Sequence, residues 1–390
     1  MNSAKDLICT GLALCFLTAT LFLSGCVTTP EPQKETDSVF FPDPPAPPRI
    51  QFLTSYTTSK DVEEKGNQFD SFLTGRKDPP GTHLIKPYGV AIQDGKIYVC
   101  DSQKTVQTFD LKNKKFGMLE GARGMGKVVQ PLNISITADG RKFVADPVRG
   151  EVVLYDADDM YVKSYGLPGQ WKPVDVAHYD DQLYVVDSRN RDIKVFDIES
   201  GEKLRALGRT NKPEENLGLP TNISIDDDGL LYITDSGRFQ VVIYDRDGHQ
   251  RGTIGRPGAN LGHFARPRGI DIDKNGLVYV VDAAFENVQV FRNDGQLLFF
   301  FGGSGRRPGD LFLPADVFID YDNIHYFQQF VDPHFTIEYL VLVTSQFGPR
   351  LVNIYAYGKE QGRSYPPEEE LMEGAQEKLK KWQEKSKETK

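Results

Sequence analysis

Residues 121–127, GARGMGK, have the G-x-x-x-x-G-K spacing with which a glycine-rich loop cradles phosphate. The next residue is Val128 rather than Ser or Thr, and Pro131 stops the helix that would have to follow. The segment therefore reads as a glycine-rich connector. The histidines, His83, His178, His249, His263, His325 and His334, share no spacing, so they give no basis for a zinc-bound lyase centre. Asp-Ser pairs such as Asp187-Ser188 close apolar runs and read as turn residues, not as parts of a Ser-His-Asp triad. Two other sets are more regular. Asn133, Asp175, Asn222 and Asp316 occupy one place in successive copies of a sequence pattern, and Gly89 and Gly269 hold that place in the other copies. Four oxygen-bearing side chains around one axis would suit a hard cation such as Ca²⁺. The same residue types also suit a tight turn. The second set is Arg149, Arg189, Arg191, Arg238, Arg268, Arg306 and Arg307, joined by Arg123, Lys127 and Arg266. Turns do not need arginine, whose planar fork pairs with carboxylate or phosphate. Stacking between structural units, or pairing with a neighbouring Asp, is the other reading of these residues.

The elements that must position these sets are short strands. Residues 220–255 read as four of them: 221–226, 230–235, 240–244 and 250–254, separated by Asp228-Gly229 and Asp247-Gly248 hairpin turns. A four-stranded sheet of this size cannot bury both faces alone. The unit recurs. Copies open at Pro87, Pro131, Pro173, Pro220, Pro267 and Pro314 as PYGVAI, PLNISI, PVDVAH, PTNISI, PRGIDI and PADVFI. Five continue into IYVCDS, KFVADP, LYVVDS, LYITDS and VYVVDA. Spacings of 44, 42, 47, 47 and 47 residues, with four strands per period, predict an all-β, six-bladed β-propeller over residues 49–360. The last copy lacks a fourth strand, while residues 49–58, RIQFLTSYTT, alternate like a strand without a partner. That segment is expected to close the last blade. A short helix is expected in the aromatic-rich insertion 324–335, and a helical stretch within 60–73.

The opening Pro-x-Gly/Asn/Asp, the Tyr-Val-x-Asp-Ser second strand and the apolar third strand ending in Tyr or Phe resemble the NHL-repeat family of six-bladed propellers. The resemblance covers about residues 87–358 and implies fold rather than activity, because propellers host enzymes, receptors and scaffolds alike. In residue type alone, the channel Asn and Asp also resemble those with which lactonase-like six-bladed propellers, using Asn, Asp and Glu, hold Ca²⁺. That implies a metal ring of Asn133, Asp175, Asn222 and Asp316, although no Glu stands at an equivalent position.

In a propeller the loops between blades share one face with the hairpins joining strands two and three. That face collects the arginine set. The opposite turns carry Asp139, Asp158, Asp159, Asp180, Asp181, residues 226–228 and Asp245. A chain of net charge −9 is thus expected to be basic at one mouth and acidic at the other.

The remaining segments address the protein. Lys5 precedes the apolar run 7–23, and Leu23-Ser24-Gly25-Cys26 resembles a bacterial lipobox, which implies a signal peptide over 1–25 and acylation of Cys26. Val27 is not the Asp that resembles an inner-membrane retention signal, so an outer-membrane lipoprotein facing the periplasm or cell surface is expected. Residues 26–48 read as a Pro-rich tether and residues 361–390 as a charged C-terminal helix or tail. Cys9 and Cys15 would leave with the signal, so Cys100 remains as a core residue without a disulfide partner. Export and a pI near 5.3 argue against nucleic acid. These readings combine into a non-enzymatic envelope lipoprotein whose basic mouth binds an acidic protein or an anionic polymer, with no cofactor. The alternative is a Ca²⁺-dependent lactonase- or esterase-like hydrolase. Cys26→Ser should release the protein from the membrane fraction or leave it unprocessed. Unchanged fractionation of a cleaved protein would refute acylation at Cys26.

Overall fold

Each repeat folds as one antiparallel sheet because its apolar residues alternate within strands and its glycines sit at turns that need left-handed backbone, such as Gly229 (φ +80°) and Gly248 (φ +90°). The computed structural model describes residues 38–63 and 83–365. It is an all-β propeller of six blades. Blade IV shows the plan: Pro220–Ile225, Leu231–Asp235, Gln240–Tyr244 and Gln250–Ile254, paired in that order. The innermost strands of blades I to VI are Pro87–Gln93, Asn133–Ile136, Pro173–Tyr179, Pro220–Ile225, Pro267–Ile272 and Pro314–Asp320. The core lies between neighbouring sheets. Tyr232 and Ile243 of blade IV, for example, pack with Ile270, Val278 and Val280 of blade V.

Blade VI is built from both ends of the propeller. Its second and third strands are Phe335–Ser345 and Val352–Glu360, and its fourth is Ile50–Tyr56. Ile50 lies opposite Tyr357 and Tyr56 opposite Val352. The N-terminal segment therefore closes the ring as its alternation predicts. The sheet begins at Val39 rather than Arg49, however. Val39–Phe41 adds a fifth strand beside Ile50–Tyr56, inside the segment that reads as tether. Its apolar side chains explain this. Phe41 packs on Phe301 and Tyr355, and Phe40 on Phe335. The insertion after Pro314–Asp320 forms two single 3₁₀ turns, Ile324–Tyr326 and Gln328–Phe330, instead of one helix. Of the 60–73 stretch, only the 3₁₀ turn Ser59–Asp61 falls among the described residues. Cys26, the signal region and residues 366–390 lie outside them.

A repeated polar strap fastens each blade to the loop that precedes it. Asp101, Asp146, Asp187, Asp235 and Asp282 end the second strands of blades I to V, and all are fully buried. Asp146 accepts hydrogen bonds from the N–H groups of Val129 and Gln130 in the inter-blade loop (2.5 and 3.0 Å) and of Val148 and Arg149 in its own hairpin (3.0 and 2.9 Å). Asp235 does the same with Gly218, Leu219, Gly237 and Arg238. In blade VI, Ser345 takes this place; its Oγ accepts one backbone donor, Phe312 N–H at 3.2 Å, and the Asn353 amide at 3.5 Å. Deleting residues 38–58 should leave Val352–Glu360 as an open edge, so thermal unfolding should lose cooperativity or give way to aggregation. An unaltered melting curve would show that closure does not depend on this segment.

Candidate functional site

The innermost strands bring Gly89, Asn133, Asp175, Asn222, Gly269 and Asp316 into one ring, and the glycines fit because the next blade fills their space. A Cβ on Gly89 would lie 2.1 Å from Asn133 Oδ1, and one on Gly269 2.4 Å from Asp316 Cα. The four polar members are buried. Asp175 accepts from Ile223 N–H of the next blade at 2.9 Å and from Val176 N–H at 2.7 Å. Asp316 accepts from Val90 N–H across the blade VI–I junction at 3.2 Å. Asp271, two residues beyond Gly269 on the same strand, repeats the arrangement on Ile319 N–H at 2.7 Å. These carboxylates therefore stitch blade to blade. Asn133 and Asn222 flank Asp175 and favour its charge, yet both amide atoms of Asn222 lack a partner with hydrogen-bond geometry.

Burial dominates the protonation of this ring. It pushes Asp175 up to about 7 and Asp271 up to about 6, against the N–H donors that pull the other way. Asp316 is held well above the usual carboxylate range by burial and by the nearby Asp175 charge.

The expected rim arginines divide into three kinds. Arg149, Arg189 and Arg238 grip the inter-blade loops. Arg149 donates to the carbonyls of Met125 (2.8 Å) and Lys127 (2.7 Å) and pairs with Glu151. Arg189 donates to Gly169 O, and Arg238 to Glu214 O and, at 3.1 Å, to Pro213 O. Arg268 turns toward the channel mouth, with its guanidinium 5.5 Å from the centre of the Tyr88 ring and Nη1 buried without a partner. Arg191 and Arg306 are exposed without an ion pair among the described residues, and so are Arg123, Lys127 and Arg266. Arg307 is exposed and lies 3.6 Å from Asp310.

The opposite face is less acidic than its turn sequences indicate. Asp139 pairs with Arg141, Asp180 with Arg246 and Asp245 with Arg251. Asp159 is buried between Lys96 (3.0 Å) and Lys142 (2.7 Å) and accepts from Tyr98 Oη at 3.1 Å. Lys96, Tyr98 and Lys142 line a cleft of about 330 Å³ between blades I and II. Lys142 also donates to the carbonyls of Asp156 and Ala157, so its donors are spent.

Two features escape the sequence reading. Ser135 Oγ and His178 Nδ1 lie 2.8 Å apart, a pair that joins blades II and III. Burial and the Arg141 charge lower the His178 pKa, and no carboxylate orients the ring by a hydrogen bond among the described residues. The other feature is apolar. Of the large apolar side chains exposed among the described residues, more than half lie on the arginine-bearing face, and only Met160 and Phe330 on the opposite one. No strand periodicity marks them, because they stand in loops.

Fold and ring together define a six-bladed β-propeller with a carboxylate-stitched channel. The chain is similar to a structural genomics protein of unknown function from Bacteroides thetaiotaomicron (15% identity, TM-score 0.55, 79% of this chain and 75% of that one). It is also similar to an auxiliary nutrient binding protein from the same organism (13%, TM-score 0.52, 70% and 69%). A streptogramin B lyase is a third (12%, TM-score 0.50, 72% and 85%). At these identities the likeness concerns the fold alone. No family model and no curated protein match the sequence.

The raised ring carboxylates fix a pH dependence. Their stabilising contribution is complete below the ordinary Asp value near 4 and is lost as pH rises through about 6 to 7. Asp187 runs the other way. Although burial opposes it, Lys194 and the Lys172 N–H hold it low, so its contribution is lost as pH falls below about 4. Tm should peak in mildly acidic buffer and decline toward pH 8, and Asp175→Asn should flatten the decline. A Tm that rises steadily from pH 5 to 8 would contradict this.

Proposed function

We propose that the protein is a non-enzymatic envelope lipoprotein of NHL-repeat type, acylated at Cys26 and held at the outer membrane. Its propeller is a scaffold that binds an anionic partner on the loop face. The observation that carries this reading is the set of exposed cations without ion pairs among the described residues. Arg123, Arg191, Arg266 and Arg306 come from four different loops on one face. One exposed pair contributes about 0–1 kcal/mol, so affinity would come from several acting together and would fall with salt. Arg149 serves this reading indirectly, because its guanidinium holds the loop that carries Arg123, and Arg350 does the same for the loop of Arg306 through the carbonyls of Arg306 and Arg307.

A second reading has its own observation, the amide of Asn222 without hydrogen-bond geometry beside Asp175, whose charge in turn acts on Asp316. Asp175, Asp316, Asn222 and Asn133 supply the hard oxygen donors that would hold Ca²⁺. A bound Ca²⁺ would polarise the carbonyl of a lactone or ester. This chain's carboxylates already accept backbone N–H groups, which gives them a structural task under either reading.

Fluorescence anisotropy with labelled polyglutamate separates the two. The wild-type protein should bind at low salt, and Arg191→Glu/Arg266→Glu/Arg306→Glu should lose binding with Tm little changed, since exposed substitutions cost under about 0.5 kcal/mol each. Salt-independent or unaltered binding would refute the first reading. Stoichiometric Ca²⁺ in the purified protein, with an esterase activity lost in Asp316→Asn, would replace it with the second.

A further inference from the structure

The apolar side chains exposed on the loop face are grouped around its hairpins. Met125, Val129, Val148 and Leu167 surround the hairpin of blade II. Arg149 reaches Met125 O, Val129 N–H donates to Asp146, and a Cβ on Gly150 would lie 3.1 Å from Cα of Pro168, next to Leu167. Leu219 and Phe239 make a second spot on blade IV, where a Cβ on Gly237 would lie 2.7 Å from Leu219 N. Ile85 and Phe347 flank the junction of blades VI and I.

Phe239 is the most informative of these residues. It has φ +56° at the tip of its hairpin. In blade II the corresponding position is Gly150 (φ +75°), and in blades III and V it is the polar Arg191 and Glu286. Left-handed backbone is unfavourable for a bulky residue and free for glycine. The residue is nevertheless 38% exposed, so part of its apolar surface is left in water. A strained position holding an aromatic partly in water points to a contact outside the chain.

We infer that the loop face docks a protein whose surface sets apolar side chains among carboxylates. This rests on the anionic-partner reading and narrows it. A charged polysaccharide would match the free guanidiniums but leave the apolar tips in water. Glu120 and Glu214, exposed on the same face, make it a mixed-charge surface, which suits a discretely patterned protein better than a uniformly anionic bilayer. Arg149, Arg189 and Arg238 fix the loops through carbonyl hydrogen bonds, so the tips form a pre-organised surface that favours shape recognition. Aromatic, Met and Arg side chains are those enriched where proteins bind proteins.

The test titrates the full-length protein in detergent with two labelled peptides of equal length and charge. One alternates glutamate with leucine and tyrosine, the other glutamate with serine. The apolar peptide should bind at least about tenfold tighter, as a few buried side chains would give. Phe239→Gly should weaken it several-fold and leave Tm unchanged or higher, because glycine adopts φ +56° without strain. Equal affinity of the two peptides overturns the inference, and so does a lowered Tm in Phe239→Gly, which would assign the ring to folding. Cys100 is buried, so a polarity-sensitive dye on Phe239→Cys can report on protein anchored to vesicles of phosphatidylethanolamine and phosphatidylglycerol. Aqueous emission is expected, and a blue shift overturns the inference in favour of a membrane surface. Salt-sensitive binding of both peptides without preference, lost in the triple arginine variant, leaves the anionic-partner reading standing while this inference falls. Binding of neither peptide removes both.

Discussion

The buried aspartate at the end of the second strand in blades I to V is the interaction on which the rest of this propeller depends. One carboxylate joins the hairpin of its own blade to the loop arriving from the previous blade, so a single side chain fixes both strand register and blade spacing. Hydrogen bonds to a charged group contribute about 1.5–3 kcal/mol each, and a buried carboxylate must be surrounded by such donors to be tolerated. Asp146 and Asp235 each receive four backbone donors. Blade VI has Ser345 in this place and is secured by strands from the N-terminal side instead. The weaker strap thus falls where the ring is closed by covalently distant segments.

The loop face follows from this constraint. Loops tied down by aspartate and braced by Arg149, Arg189 and Arg238 cannot fold their tips inward, so Val148, Phe239 and their neighbours stay in solvent. Arg123, Arg191, Arg266 and Arg306 remain exposed without ion pairs among the described residues. This face thus exposes cations and apolar side chains together on an acidic chain. Net charge gives no hint of it.

At the axis the same chemistry appears under greater burial. Asp175, Asp271 and Asp316 stitch neighbouring innermost strands, and burial raises all three. The ring can thus be a structural clasp that prefers mild acid, or a cation site that neutralises the same charges. The two differ in what happens to stability when Ca²⁺ is added at neutral pH.

The sequence by itself determined the blade count, the strand order and the closure by residues 49–58, because strand alternation, turn glycines and a repeated Asp-Ser are local signals with a fixed period. It also placed Asn133, Asp175, Asn222 and Asp316 on one ring, since equal positions in equal repeats must be neighbours about an axis. It did not separate Arg149, Arg189 and Arg238, which grip carbonyls about twenty residues away, from the free Arg191 and Arg306. That depends on which acceptor the fold brings within reach. Nor did it indicate that Asp159 is buried between Lys96 and Lys142, that Val39–Phe41 adds a strand, or that Phe239 stands exposed in left-handed backbone. Those outcomes rest on packing between segments distant in the chain, and only the tertiary structure decided them.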